Sequence, residues 1–167
     1  MAAGITYKKI ESTTLGSDQA SIEFTSIPGT YTDLVISLIG GQSPLNDAFM
    51  IRFNGDTGNN YTASYLLGTG SSRAGSQSND TSGIINFGDL GGAAIETFIE
   101  ININRYAETN RYKSVLSHYA SKQRGRMLLN IGQWRNTNAI TTVKLMFTGS
   151  DNFKSGTVAT LYGIEAA

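Results

Sequence analysis

Short runs of alternating apolar and polar residues recur almost from end to end of this chain, separated by Gly, Ser, Asn and Asp. Tyr31-Thr-Asp-Leu-Val-Ile-Ser-Leu-Ile39 is one such run, and Ala48-Phe-Met-Ile-Arg-Phe53, closed by Asn54-Gly55, is another. A period of two sends successive side chains to opposite faces of a strand, so one face packs while the other is wetted. Many such runs with turn signals between them predict an all-β sandwich or barrel. No segment of ten or more residues carries a clean helical period, and at most a turn or two of helix is expected, near Gly88–Ala94.

Along the chain, strands are predicted from Ile5 to Leu15, Ala20 to Phe24 and Tyr31 to Ile39. Others run from Ala48 to Phe53, Tyr61 to Leu67, Gly83 to Gly88 and Glu96 to Asn104. The last are Arg111 to Ala120, Gly125 to Trp134, Ala139 to Phe147 and Thr157 to Ile164. Ala48–Phe53 and Tyr61–Leu67 are expected to form a hairpin around the polar segment Asn54–Asn60, since Gly and Asn tolerate positive φ. Gly68–Gly83 holds no apolar run, which predicts a long loop.

The 167 residues are expected to form one domain, 1–167. There is no cysteine, so no disulfide and no thiol chemistry is available. No stretch approaches the roughly 20 apolar residues of a membrane-spanning helix. The N-terminus lacks the apolar core of a signal peptide, so standard secretion is not expected, which is consistent with release by lysis.

Charge is sparse, at 16% of residues, and balanced overall. It is not evenly placed. Residues 1–104 hold 4 basic and 10 acidic side chains, whereas residues 105–135 hold 7 basic side chains and one acidic, Glu108. Such a split suggests contacts between complementary surfaces. It singles out Arg111, Lys113, Arg124 and Arg126 as candidate protein-interface residues. Interleaved Tyr and Trp could suit nucleic acid, but the chain is neutral and carries no nucleic-acid motif, so no nucleic-acid partner is expected.

Catalytic chemistry finds little support. His118 is the one histidine, and its neighbours supply no triad or metal set. Glu96 and Glu100 would lie about 13 Å apart along a strand, too far for a glycosidase pair. Asn54, Asp56, Asn59 and Asn60 could line an oxygen-rich calcium loop, but the closing bidentate Glu is missing and turn chemistry accounts for them. No enzyme activity, metal or cofactor is expected. Trp134, followed by Asn136, and Tyr61 are the candidates for stacking on and hydrogen-bonding to a sugar; packing of Trp134 at the core rim is the competing expectation.

Several phrases carry a resemblance. Tyr7-Lys-Lys-Ile10, Phe24-Thr-Ser-Ile-Pro-Gly-Thr-Tyr-Thr-Asp-Leu-Val35, Ile51-Arg-Phe-Asn-Gly-Asp-Thr-Gly-Asn-Asn-Tyr61 and Ala159-Thr-Leu-Tyr-Gly-Ile164 resemble small virion surface proteins of tailed phages of aquatic bacteria. The resemblance spans nearly the whole chain. It implies a jelly-roll-like antiparallel β-sandwich on the particle surface, and no active-site residues.

The expected fold is therefore all-β, a jelly-roll-like sandwich of roughly eight to ten strands. The expected role is a capsid decoration or cement protein, made in the host cytoplasm and bound to the major capsid protein or other virion subunits. A small homo-oligomer is expected, with a trimer favoured, and no membrane partner. The alternative is a tail-fibre or spike module that binds host polysaccharide.

Overall fold

A computed structural model of the chain describes residues 6–44, 47–85, 90, 97–121 and 125–165. Among them lie fourteen strands and no helix. In chain order these are β1 (Tyr7–Thr14), β2 (Ser21–Phe24), β3 (Asp33–Gly40), β4 (Gln42–Ser43), β5 (Phe49–Phe53), β6 (Tyr61–Thr69) and β7 (Arg73–Thr81). They continue with β8 (Ile84–Ile85), β9 (Thr97–Asn104), β10 (Lys113–Ser121), β11 (Arg126–Trp134), β12 (Val143–Phe147), β13 (Asn152–Phe153) and β14 (Val158–Ile164). The predicted short helix near Gly88–Ala94 falls outside the described residues, apart from buried Leu90.

The strands form an antiparallel, jelly-roll-like β-sandwich. One layer is an eight-stranded sheet in the order β1-β14-β3-β9-β10-β11-β6-β7. The facing layer is a four-stranded sheet, β2-β12-β5-β8, and β13 pairs with β4 beside them. Alternation does what the sequence predicts. In β9 and β10, Ile99, Ile101, Ile103, Val115 and Tyr119 point inward and are buried, while the residues between them point out. They meet Phe24, Phe49, Ile51, Phe53, Val143, Leu145 and Phe147 of the smaller sheet in one hydrophobic core. Gly132 lets the layers close. A methyl group there would sit 2.3 Å from Ile84 Cγ2 of β8.

Two expectations need correcting. The predicted loop Gly68–Gly83 is mostly strand β7, antiparallel to β6 and at the edge of the large sheet. Nearly all of its side chains are exposed, so neither face demanded apolar residues and the alternation vanished. The predicted hairpin of Ala48–Phe53 with Tyr61–Leu67 is instead a crossover. β5 pairs with β12 and β8 in the small sheet, whereas β6 pairs with β11 and β7 in the large one. The chain turns at Asn54 and Gly55, both at positive φ, closed by the Asp56 N–H to the Phe53 carbonyl at 2.9 Å. It then steps from one layer to the other.

Candidate functional site

The polar segment after β5 is built around one carboxylate. Asp56 accepts hydrogen bonds from Trp134 Nε1 at 2.7 Å, from Asn60 Nδ2 at 3.0 and 3.2 Å, and from the Gly58 N–H at 2.8 Å. Burial alone would raise its pKa, but these bonds outweigh that and hold it below the ordinary carboxylate value. The Asp56 oxygens are thus occupied by the protein's own donors rather than turned to a cation. Among the described residues no group of three or more metal-ligating His, Asp or Glu side chains occurs.

Neither aromatic candidate for sugar binding has a free face. Tyr61 and Trp134 are buried and stack on each other, with centroids 6.2 Å apart, and both pack on Phe53. The Tyr61 hydroxyl takes part in hydrogen bonds with the backbone of Phe53 and Asp56. Trp134 shares its face of β11 with Leu128, and that is why it is inside. The sugar-stacking expectation for Tyr61 and Trp134 is therefore corrected: both are core residues. Asn136 is half-buried and accepts a hydrogen bond from the Asn138 N–H at 2.9 Å, closing a local turn.

The basic segment divides. Lys113 is fully buried, and its expected interface role is corrected. Its ammonium donates to the backbone carbonyls of Glu108, Arg111 (2.9 Å) and Thr137 (3.1 Å). It ties the β9–β10 connection to the segment after β11, and burial lowers its pKa. Arg111 is exposed and ion-pairs with Glu108 at 2.6 Å, which Arg105 also approaches at 3.4 Å. Arg135 pairs with Asp80. Arg126 is half-buried, and Arg124 lies outside the described residues. Much of the positive charge seen in sequence is consumed within the molecule.

What the sandwich leaves open is the outer face of the large sheet. Directly paired residues of an antiparallel sheet share a face, so the register gives its rows. One row runs Phe98, Ala120, Met127, Gly68, Arg73 from β9 to β7. The next runs Glu100, His118, Leu129, Leu66, Gly75, and the third Asn102, Leu116, Ile131, Ser64, Gln77. Leu66 and Met127 are about two-thirds exposed, at 66% and 67%, and Leu116, Leu129 and Ile131 are exposed beside them.

These five side chains make a continuous apolar strip. Within it lies an open groove of about 830 Å³. Its floor is Gly68, Gly75 and Ala120, and its walls are Leu66, Met127 and Leu129. Methyl groups on Gly68 and Gly75 would lie 3.4 Å from Met127 Cγ and Leu66 Cδ2, so the glycines hold the groove open beneath the larger neighbours. His118 and Glu100 stand on one side, with Nε2 and Oε1 4.0 Å apart, and Arg73 stands on the other.

Further along the same face is a smaller groove of about 260 Å³, where Thr62, Ser64, Gln77, Asn79, Ser114 and Gln133 join Ile131 of the strip.

The strip was missed in the sequence, though doublets betray it. Leu66-Leu67, Val115-Leu116 and Met127-Leu128-Leu129 place apolar residues on both faces of strands that otherwise alternate. Among the described residues of this face His118 and Glu100 are the one close titratable pair, and the exposed aliphatic side chains beside them suit it to binding. Comparisons with protein-family models and with the curated proteins found no match to this chain.

Proposed function

We propose that the chain is a structural subunit of a tailed-phage virion, a capsid decoration protein that attaches to the lattice as a small oligomer. The observation that carries this reading is the apolar strip of Leu66, Leu116, Met127, Leu129 and Ile131 on an otherwise polar face. The largest apolar patch that a soluble protein leaves in water is about 300–600 Å², and it is often the functional contact surface. The phage-like phrases of the sequence supply the setting. In that setting a rigid sandwich stabilises a particle by burying surface between subunits. Many modest contacts repeated over a lattice add up through effective concentration.

The test is co-sedimentation of the purified protein with particles lacking it, followed by electron microscopy to locate it. Binding at regular lattice positions is expected. Particles that take up none of it, under conditions where the protein is folded, overturn the reading.

A second reading, a tail-fibre module for host polysaccharide, is favoured by the smaller groove, where amides and hydroxyls that suit sugar hydroxyls lie beside apolar Ile131. Calorimetric titration with host surface polysaccharide tests it. Binding lost in Gln77→Ala and Gln133→Ala would establish it, and no heat of binding would remove it.

A further inference from the structure

We propose that the apolar strip seats a second copy of this chain, with a two-fold axis running parallel to β11. This rests on the reading of the strip as an assembly surface and names its occupant.

The lateral order of the strands sets the symmetry. Across the strip the order is β9-β10-β11-β6-β7, so β11 is central and carries Met127, Leu129 and Ile131. Glu100 lies two strands to one side and Arg73 two strands to the other. Each is therefore about 10 Å from the axis. Turning a copy face to face about the β11 direction lays β9 of each molecule over β7 of the other.

The central and rim positions then match in chemistry, while Leu66 and Leu116 face the partner copy's His118 and Ser64. Met127, Leu129 and Ile131 meet their own counterparts on the axis. Ala120 faces Gly68, two small residues where the groove floor lies. Asn102 faces Gln77, amide to amide. Glu100 faces Gly75, within one pleat of the partner's Arg73, and Arg73 itself lies over the partner's Phe98. Opposite charges and a cation over an aromatic ring thus close both rims. Each contact off the axis occurs twice, as an isologous interface requires.

An axis across the strands through Leu129 also pairs apolar residues, Met127 with Ile131 and Leu66 with Leu66, but it sets β9 on β9 and brings Glu100 against itself, so the rim charges select the axis parallel to β11. Area agrees with the pair. The five exposed apolar side chains offer on the order of 500 Å², and the polar rim rows extend this toward the roughly 800 Å² per partner of a specific interface. This surface fits a two-fold pair rather than the trimer expected from sequence.

The test is the mass of the whole chain in solution by analytical ultracentrifugation and light scattering. A dimer is expected. Leu129→Asp should make it monomeric while circular dichroism and the unfolding midpoint show an intact fold. Should that variant misfold, the rim variants decide alone. Glu100→Arg and Arg73→Glu should each weaken dimerisation by about ten-fold, and the two together should restore it to within about three-fold of wild type.

A wild-type monomer at about 0.1 mM, a trimer, or no rescue in the double variant overturns the pair. A monomer that still binds particles through Leu129 would overturn the pair and leave the decoration reading standing. A rescued dimer that binds no particle would uphold the pair and remove that reading.

Discussion

Trp134 at the end of β11 donates its indole N–H to Asp56 Oδ2 at 2.7 Å, joining the large sheet to the crossover that leaves the small one. The bond spans 78 positions in sequence. It fixes how the chain passes between layers, because Asp56 also gathers Asn60 and the Gly58 N–H.

Removing that carboxylate should loosen the crossover. Asp56→Ala leaves a buried indole N–H without its acceptor, at a cost of about 1–3 kcal/mol. Urea unfolding followed by the fluorescence of the one tryptophan reads this directly. Asp56→Asn keeps an acceptor and should lose less. Equal stability in Asp56→Ala and wild type would show that the bond contributes nothing.

Acid should weaken the fold through the same group. The folded protein holds the Asp56 carboxyl below its ordinary value, so folding favours the ionised form. Its contribution is whole above the unfolded pKa of about 3.9 and is lost as pH falls below that. Asp18, held down by Lys154 and the Ser155 N–H, acts in the same direction. Melting temperatures between pH 7 and pH 3 should fall more steeply in wild type than in Asp56→Asn. Parallel curves would contradict this.

Lys113 should behave as a core residue. Lys113→Met removes the donor from three backbone carbonyls and should destabilise the protein by about 2–3 kcal/mol. Chemical denaturation measures it. An unchanged midpoint would mean that solvent replaces the ammonium at no cost.

Gly132 should tolerate no side chain. Gly132→Val drives branched carbons into Ile84 and should cost about 1–3 kcal/mol or more by overpacking. Thermal unfolding checks it, and Gly132→Val paired with Ile84→Ala should recover part of the loss. A valine variant as stable as wild type would show that β8 can move away freely.

Alternation made the layers legible. β9, β10 and β11 are wetted on one face and packed on the other, and the period of two shows it. β7 was illegible because water touches both its faces, so Arg73–Thr81 carries no period at all. The crossover was hidden for another reason. Strands adjacent in sequence with Asn-Gly between them usually pair, yet Phe53 and Tyr61 belong to different layers.

The inward positions of Trp134 and Lys113 were available from parity with Leu128 and Val115. Counting charge by segment overrode that signal, since a lysine in a basic run reads as surface. The partners that neutralise the segment, Asp80 for Arg135 among them, come from strands distant in sequence.

Edge strand β7 has a further consequence. Its exposed Arg73, Ser76, Gln77, Asn79 and Asp80 border a row of backbone groups that, among the described residues, no further strand of the sheet pairs. At the opposite margin β1 exposes Lys8, Lys9 and Glu11. Charged and strongly hydrated margins discourage a sheet from lengthening into a ribbon. Strand-on-strand growth of the large sheet is therefore disfavoured at both margins, which leaves its faces rather than its edges as the surfaces open to contact.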